Sequence, residues 1–181
     1  WIESRRGEML GFWSKVEDGT IPTRVTHNDT KINNILFDKQ GEVLCAIDLD
    51  TVMASTSLND FGDAIRSYAN TGDEDDRDLS RVGLSLEMFR AYTEGYLSQR
   101  AKQLTDSEID HLAFSARYIT FEQVLRFLMD YIDGDTYYKI KYPGHNLVRT
   151  HAQYRLLQSM EEHYGEMCRI VRETVDKYRK A

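Results

Sequence analysis

The segment His27-Asn28-Asp29-Thr30-Lys31-Ile32-Asn33-Asn34, read together with Ile47-Asp48-Leu49-Asp50, constrains this chain more than any other part of it. Asp29 follows a His by two residues and precedes Asn34 by five. A short apolar strand comes next, Ile35-Leu36-Phe37, then a turn, Asp38-Lys39-Gln40-Gly41, then a second apolar strand from Val43 to Ile47 that runs into Asp48. Two short apolar runs around a Gly-containing turn predict a hairpin. A hairpin brings its entry, Asn34, and its exit, Asp48, to one point. That set of residues suits phosphoryl transfer. A loop carboxylate takes the proton of an attacking hydroxyl, and an Asn and a second Asp hold the Mg²⁺ ions that neutralise the moving group.

Around this hairpin the chain reads as helix. Residues 1–18 carry an apolar stripe of Ile2, Met9, Leu10, Trp13 and Val16, closed by Gly19 and Pro22. Arg24 to Thr26 predicts a short strand entering the loop. Leu49 to Asn59 reads as irregular, and a short helix is expected to begin at Asp60 or Asp63 and run through Tyr68. Residues 71–80 form an exposed loop around the acidic run Asp73-Glu74-Asp75-Asp76, which has no EF-hand spacing. A helix follows from Leu86 to Ala101. Thr105-Asp106-Ser107-Glu108 is a capping box opening a long helix. Gly134 and Pro143-Gly144 break the chain, and a last helix is expected from Val148 to Tyr178 with a bend at Gly165. The fold class is α+β, mostly α, with helices around a small β-hairpin.

The length of 181 residues suffices for one domain with a core. Net charge of −7, from 23 basic and 30 acidic residues, argues against nucleic acid as a partner. No apolar run approaches the ~20 residues of a membrane span. Two cysteines, Cys45 in an expected core strand and Cys168 in a late helix, predict buried reduced thiols and a cytoplasmic protein.

HNDTKINN resembles the catalytic loop of the aminoglycoside phosphotransferase and choline kinase superfamily, relatives of the protein kinases. The longer stretch HNDTKINNILFD…AIDLDTVM…NDFGDAIR is similar to the N-acetylhexosamine 1-kinase-like branch, from about Val25 to Arg66 and more loosely through Arg126-Phe127-Leu128 and Asp135-Thr136-Tyr137-Tyr138. The resemblance implies a protein-kinase-like fold, of which residues 1–181 would be the C-terminal lobe alone. The chain opens at Trp1 without a Met and shows no Gly-rich loop followed by a Val-Ala-Ile-Lys-like strand, so the N-terminal nucleotide-binding lobe is expected to be absent and the isolated chain inactive. ATP as donor, Mg²⁺ as cofactor and an amino sugar as acceptor follow from the same resemblance.

Each candidate has a plainer alternative. Asp29 is either an Asx-turn residue or the base, and its companions favour the base. Lys31 is either solvated or a phosphate contact. His27 is assigned to bracing the loop, and Asn33 to a backbone brace. Asn34 and Asp48 are read as Mg²⁺ ligands, because a carboxylate leaving a buried strand needs a partner or a metal. Asp50 binds a second ion or faces water. Of Asp60 and Asp63, one is expected to hydrogen-bond the loop and the other to cap a helix. Arg126 either pairs with Asp130 at i+4 or clamps substrate. Tyr137 either stacks on a sugar or hydrogen-bonds it.

The expected activity is transfer of the ATP γ-phosphoryl group to a sugar hydroxyl, the anomeric 1-OH of an N-acetylhexosamine. The alternatives are an aminoglycoside, choline or homoserine kinase, a metal-dependent phosphoesterase, or a non-catalytic kinase-like binding module.

Overall fold

A computed structural model describes residues 1–180. Its elements in chain order are α1 (Ile2–Glu17), β1 (Arg24–Thr26), β2 (Ile35–Phe37), β3 (Val43–Ala46), β4 (Met53–Ser55), α2 (Ser57–Tyr68), α3 (Leu86–Arg100), α4 (Asp106–Ile132), α5 (His145–Glu162) and α6 (Tyr164–Arg179). The fold is α+β and mostly helical. Strands β2 and β3 form the expected antiparallel hairpin, with Ile35 opposite Ala46.

Three expectations about elements change. The stretch from Leu49 to Asn59 is not wholly irregular: β4 lies in it and pairs antiparallel with β1, Thr26 opposite Met53. Helix α2 begins at Ser57, because Thr56 supplies the N-cap, its hydroxyl accepting the N–H of Leu58. Asp60 and Asp63 are thus interior to the helix rather than capping it. The last helix is two, α5 starting at His145 and α6 at Tyr164, with His163 between them.

Helix α4 is the central strut, packing chiefly on α5 and α2, while α3 packs on α6. Its start matches the capping box: Thr105 Oγ1 accepts the Glu108 N–H, and the Glu108 carboxylate accepts the Thr105 N–H at 2.8 Å. The core is built from Leu58, Phe61 and Ile65 of α2, Phe89 and Leu97 of α3, Leu112 of α4, and Leu156, Leu157 and Met160 of α5, each fully buried. Helices α2 and α4 approach closely at Gly62, where a Cβ would lie 2.4 Å from the carbonyl oxygen of Ser115.

The hairpin is where the chain departs most from expectation. Val43 is 64% exposed and Leu44 63%, and Val25 on the neighbouring strand is 82% exposed. Cys45 is exposed rather than part of a core strand. Asp48 accordingly does not leave a buried strand. The reason is topological: the helices pack among themselves, and among the described residues no second layer covers the apolar face of the hairpin.

Candidate active site

The loop after β1 is shaped by one helix residue. Asp60, in the first turn of α2, accepts the backbone N–H of His27 at 3.0 Å on one carboxylate oxygen and that of Asn28 at 2.7 Å on the other. Thr30 Oγ1 donates to the Asp60 carbonyl at 2.7 Å. Asn28 sits at φ 61°, a left-handed conformation that Asn tolerates better than most residues. Its side chain is fixed from both ends, Nδ2 donating to the Thr51 carbonyl at 3.0 Å and Oδ1 accepting from Thr26 Oγ1 at 3.0 Å. His27 Nε2 donates to the Ile47 carbonyl at 3.0 Å, and Thr51 Oγ1 to the His27 carbonyl at 2.6 Å. The loop is therefore stitched to the turn that carries Asp48 and Asp50.

Asp29 points from this loop into the cleft. Its Oδ2 accepts from Lys31 Nζ at 2.7 Å and from Asn34 Nδ2 at 2.8 Å. Partial burial alone would lower the pKa of Lys31, but the hydrogen bond and charge of Asp29 outweigh it and hold the ammonium above its ordinary value. Asn34 is buried, and its Nδ2 also reaches the Asp29 carbonyl at 2.8 Å. Its backbone carbonyl accepts the Ile47 N–H at 2.9 Å, which places it beside the exit of the hairpin.

Asp48 adopts φ 63°, ψ 57° at that exit. Its carboxyl is held above the ordinary carboxylate range, first by a hydrogen bond to Asp50 and then by the charge of Asp50. Two crowded carboxylates with an amide nearby are hard oxygen donors, and crowding of this kind is relieved by a divalent cation. Among the described residues no three His, Cys, Asp or Glu side chains converge on one point. Mg²⁺ characteristically takes one or two protein carboxylates and completes its shell with water and phosphate oxygens, so this donor set fits it.

A cleft of about 550 Å³ runs from Asp29, Lys31, Asp48 and Asp50 across α2 to the end of α4 and the segment after it. Its far wall carries Arg126, Tyr137 and Tyr138 together with residues that the sequence did not single out, Glu122, Gln123 and Arg149. These residues come from α4, the segment after it and α5, more than 90 positions away from Asp29 in the sequence. Of the sequence candidates, His27, Asn34 and Asp60 stand behind the cleft as supports, while Asp63 and Asn33 line it.

Of the two readings of Arg126, the ion pair with Asp130 does not form. Asp130 lies at the end of α4, where the chain turns back, and its carboxylate faces that turn instead. Oδ1 accepts the N–H groups of Thr136 at 2.9 Å and Tyr137 at 2.8 Å, and Oδ2 accepts those of Tyr138 at 2.9 Å and Asn146 Nδ2 at 2.8 Å. Burial pushes the Asp130 carboxyl up, but these four donors outweigh it and hold it low. Arg126 lies instead over the Tyr138 ring, 5.6 Å from its centroid. No helix among the described residues is long and apolar enough to cross a membrane. Compared with known families, residues 3–96 match the model of the Phosphotransferase enzyme family (APH), a span that holds the loop, the hairpin and α2 but not the far wall of the cleft.

Proposed function

The chain belongs to the phosphotransferase enzyme family, and from that premise we propose that it transfers the γ-phosphoryl group of ATP to a sugar hydroxyl, the anomeric 1-OH of an N-acetylhexosamine. The observation that carries the reading is the placement of Asp29. It stands at one end of a cleft whose other end offers an aromatic ring, Tyr137, 74% exposed, and a guanidinium, Arg126. An acceptor lying on that far wall presents a hydroxyl to Asp29.

In this reading Asp29 orients the acceptor hydroxyl and takes its proton. The Asn34 amide fixes the carboxylate so that little reorganisation is needed when the hydroxyl arrives. Lys31, paired with Asp29 at rest, turns to the phosphate. Asn34, Asp48 and Asp50 would hold Mg²⁺, which when bound would supply charge neutralisation to the phosphates. An anomeric hydroxyl is more acidic than an ordinary alcohol, so a carboxylate serves as its base.

The exposed apolar hairpin supports a further part of the reading. Residues 1–181 act as a C-terminal lobe, and a second lobe seated on β1 to β4 completes the nucleotide site. On that reading the 181-residue chain folds but binds Mg-ATP weakly in calorimetry. The use of ATP and two free cysteines suit a cytoplasmic location.

The test is steady-state kinetics of Asp29→Asn in the enzyme carrying both lobes, with N-acetylglucosamine and N-acetylgalactosamine. Loss of the base should lower kcat by on the order of 10²–10⁴ while ATP affinity stays nearly constant. A kcat within a few-fold of the parent would make Asp29 a loop brace only. Release of phosphate to water with no phosphorylated sugar would mark a phosphoesterase instead.

A further inference from the structure

One carboxylate oxygen in the cleft has no partner among the described residues. Asp63 lies on α2 and is 8% exposed. Its Oδ1 receives Nε of Arg66 at 3.0 Å and Nη2 at 2.8 Å. Its Oδ2 is buried and meets no donor among the described residues, although Asp63 lines the same cleft as Asp29. A buried acceptor without a donor is costly, and more so when it is charged. Arg66 cannot turn to cover it, because this buried guanidinium is also held by Glu74 at 2.8 Å. One helical turn earlier, Asn59 also lines the cleft. It gives Nδ2 to Ser55 Oγ at 3.0 Å, and its Oδ1 is likewise buried without a donor.

Asp63 balancing the charge of Arg66 explains Oδ1 and leaves Oδ2 unexplained. Two acceptors spaced i, i+4 share one face of a helix, and they call for donors from outside the chain. The charges around them indicate the donor. Arg66, Arg126 and Arg149 stand against Asp63, Glu74 and Glu122, so this part of the cleft is balanced.

We propose that Asp63 is an acceptor-binding residue whose Oδ2 takes a hydroxyl O–H of the acceptor, with Asn59 Oδ1 taking a second, and that the acceptor is consequently a neutral polyol. The proposal rests on the phosphoryl-transfer reading above and fixes which side of the acceptor faces α2. A polyol offers two adjacent donors without adding charge. An acid would set anionic oxygens against Oδ2, and a monohydroxylated cation would leave one acceptor bare.

The test is titration of the 181-residue chain with N-acetylglucosamine, kanamycin, choline and homoserine, followed by ¹⁵N–¹H NMR on wild type and Asp63→Asn. Asn keeps an oxygen for Arg66 and replaces the free oxygen by an amide donor. The expected result is sugar binding weakened about tenfold or more, with the fold retained and the weak Mg-ATP response unchanged. Monodeoxy analogues of N-acetylglucosamine then locate the contact. The analogue lacking the hydroxyl at Asp63 binds wild type poorly and loses nothing further on substitution. If Asp63→Asn unfolds, Asn59→Ser leaves the ion pair intact and carries the same comparison.

Sugar binding indifferent to Asp63→Asn, with every analogue additive, overturns the proposal and leaves the sugar reading standing. Binding of another probe in place of the sugar, weakened by Asp63→Asn, overturns the sugar reading and keeps Asp63 as the anchor. No binding of any of the four probes to wild type overturns both.

Discussion

Asp60 and Asp48 show how much of the site hangs on single carboxylates. Asp60 supplies both acceptors for the N–H groups of His27 and Asn28, so the bend that aims Asp29 depends on one side chain. From sequence, Asp60 and Asp63 were indistinguishable, because the partners of Asp60 are backbone groups more than 30 residues upstream and leave no trace in its own neighbourhood. Asp48 makes a prediction at the same scale. If Asp48 and Asn34 hold the cation, Mn²⁺ should broaden amide signals around both, and Asp48→Ala should abolish that broadening. NMR of the labelled chain checks this. Broadening centred on Asp73 to Asp76, with the hairpin untouched, would contradict the assignment.

Two element-scale features set the width of the cleft. The first is Gly62. Helices α2 and α4 touch there with no room for a methyl group, and the obstacle is the Ser115 carbonyl, backbone that cannot swing aside. Gly62→Ala should therefore destabilise the fold by about 1–3 kcal/mol despite its better helix propensity, read from the midpoint of urea unfolding. The second is the turn after α4, gathered on Asp130. Asp130→Ala strips three backbone N–H groups and an Asn146 amide of their acceptor. It should raise the acceptor KM by about tenfold or more through loss of the Tyr137 and Tyr138 positions, with a smaller change in ATP binding. Comparing the two KM values checks it. Helices with strong local signals were legible in the sequence, as the capping box before α4 shows. Strand β4 is not, because its three residues pair only with β1, and the start of α2 is set by the Thr56 cap, whose signal the acids after it mask in the sequence.

At the scale of the whole molecule, one buried carboxylate joins the elements that reach the site. Glu108 accepts from Arg24 of β1 at 2.6 Å, from Ser57 of α2 at 2.7 Å, and from the Thr105 N–H at the head of α4. Burial alone would push its carboxyl up, but these donors hold it at about 2, below its ordinary 4.5. A depressed folded-state pKa stabilises the fold above the unfolded value, and that contribution disappears as pH falls from about 4.5 towards 2. With the side chain fully buried, it amounts to about 3 kcal/mol. Chemical unfolding measured at pH 7 and pH 3 should show the decline, and Glu108→Gln should flatten it. The sequence read Glu108 only as a local cap, since its partnership with Arg24 spans 84 residues. The exposed hairpin was misread for the converse reason: apolar residues indicate burial without saying against what. Asp60 and Asp63 lie three residues apart on α2, the first gripping the loop of Asp29 and the second lining the cleft. Any tilt or slide of that one helix carries the Asp29 loop and this wall of the cleft in the same direction. Their separation is set inside a single rigid rod, so the grip on the Asp29 loop and the α2 wall of the cleft move together.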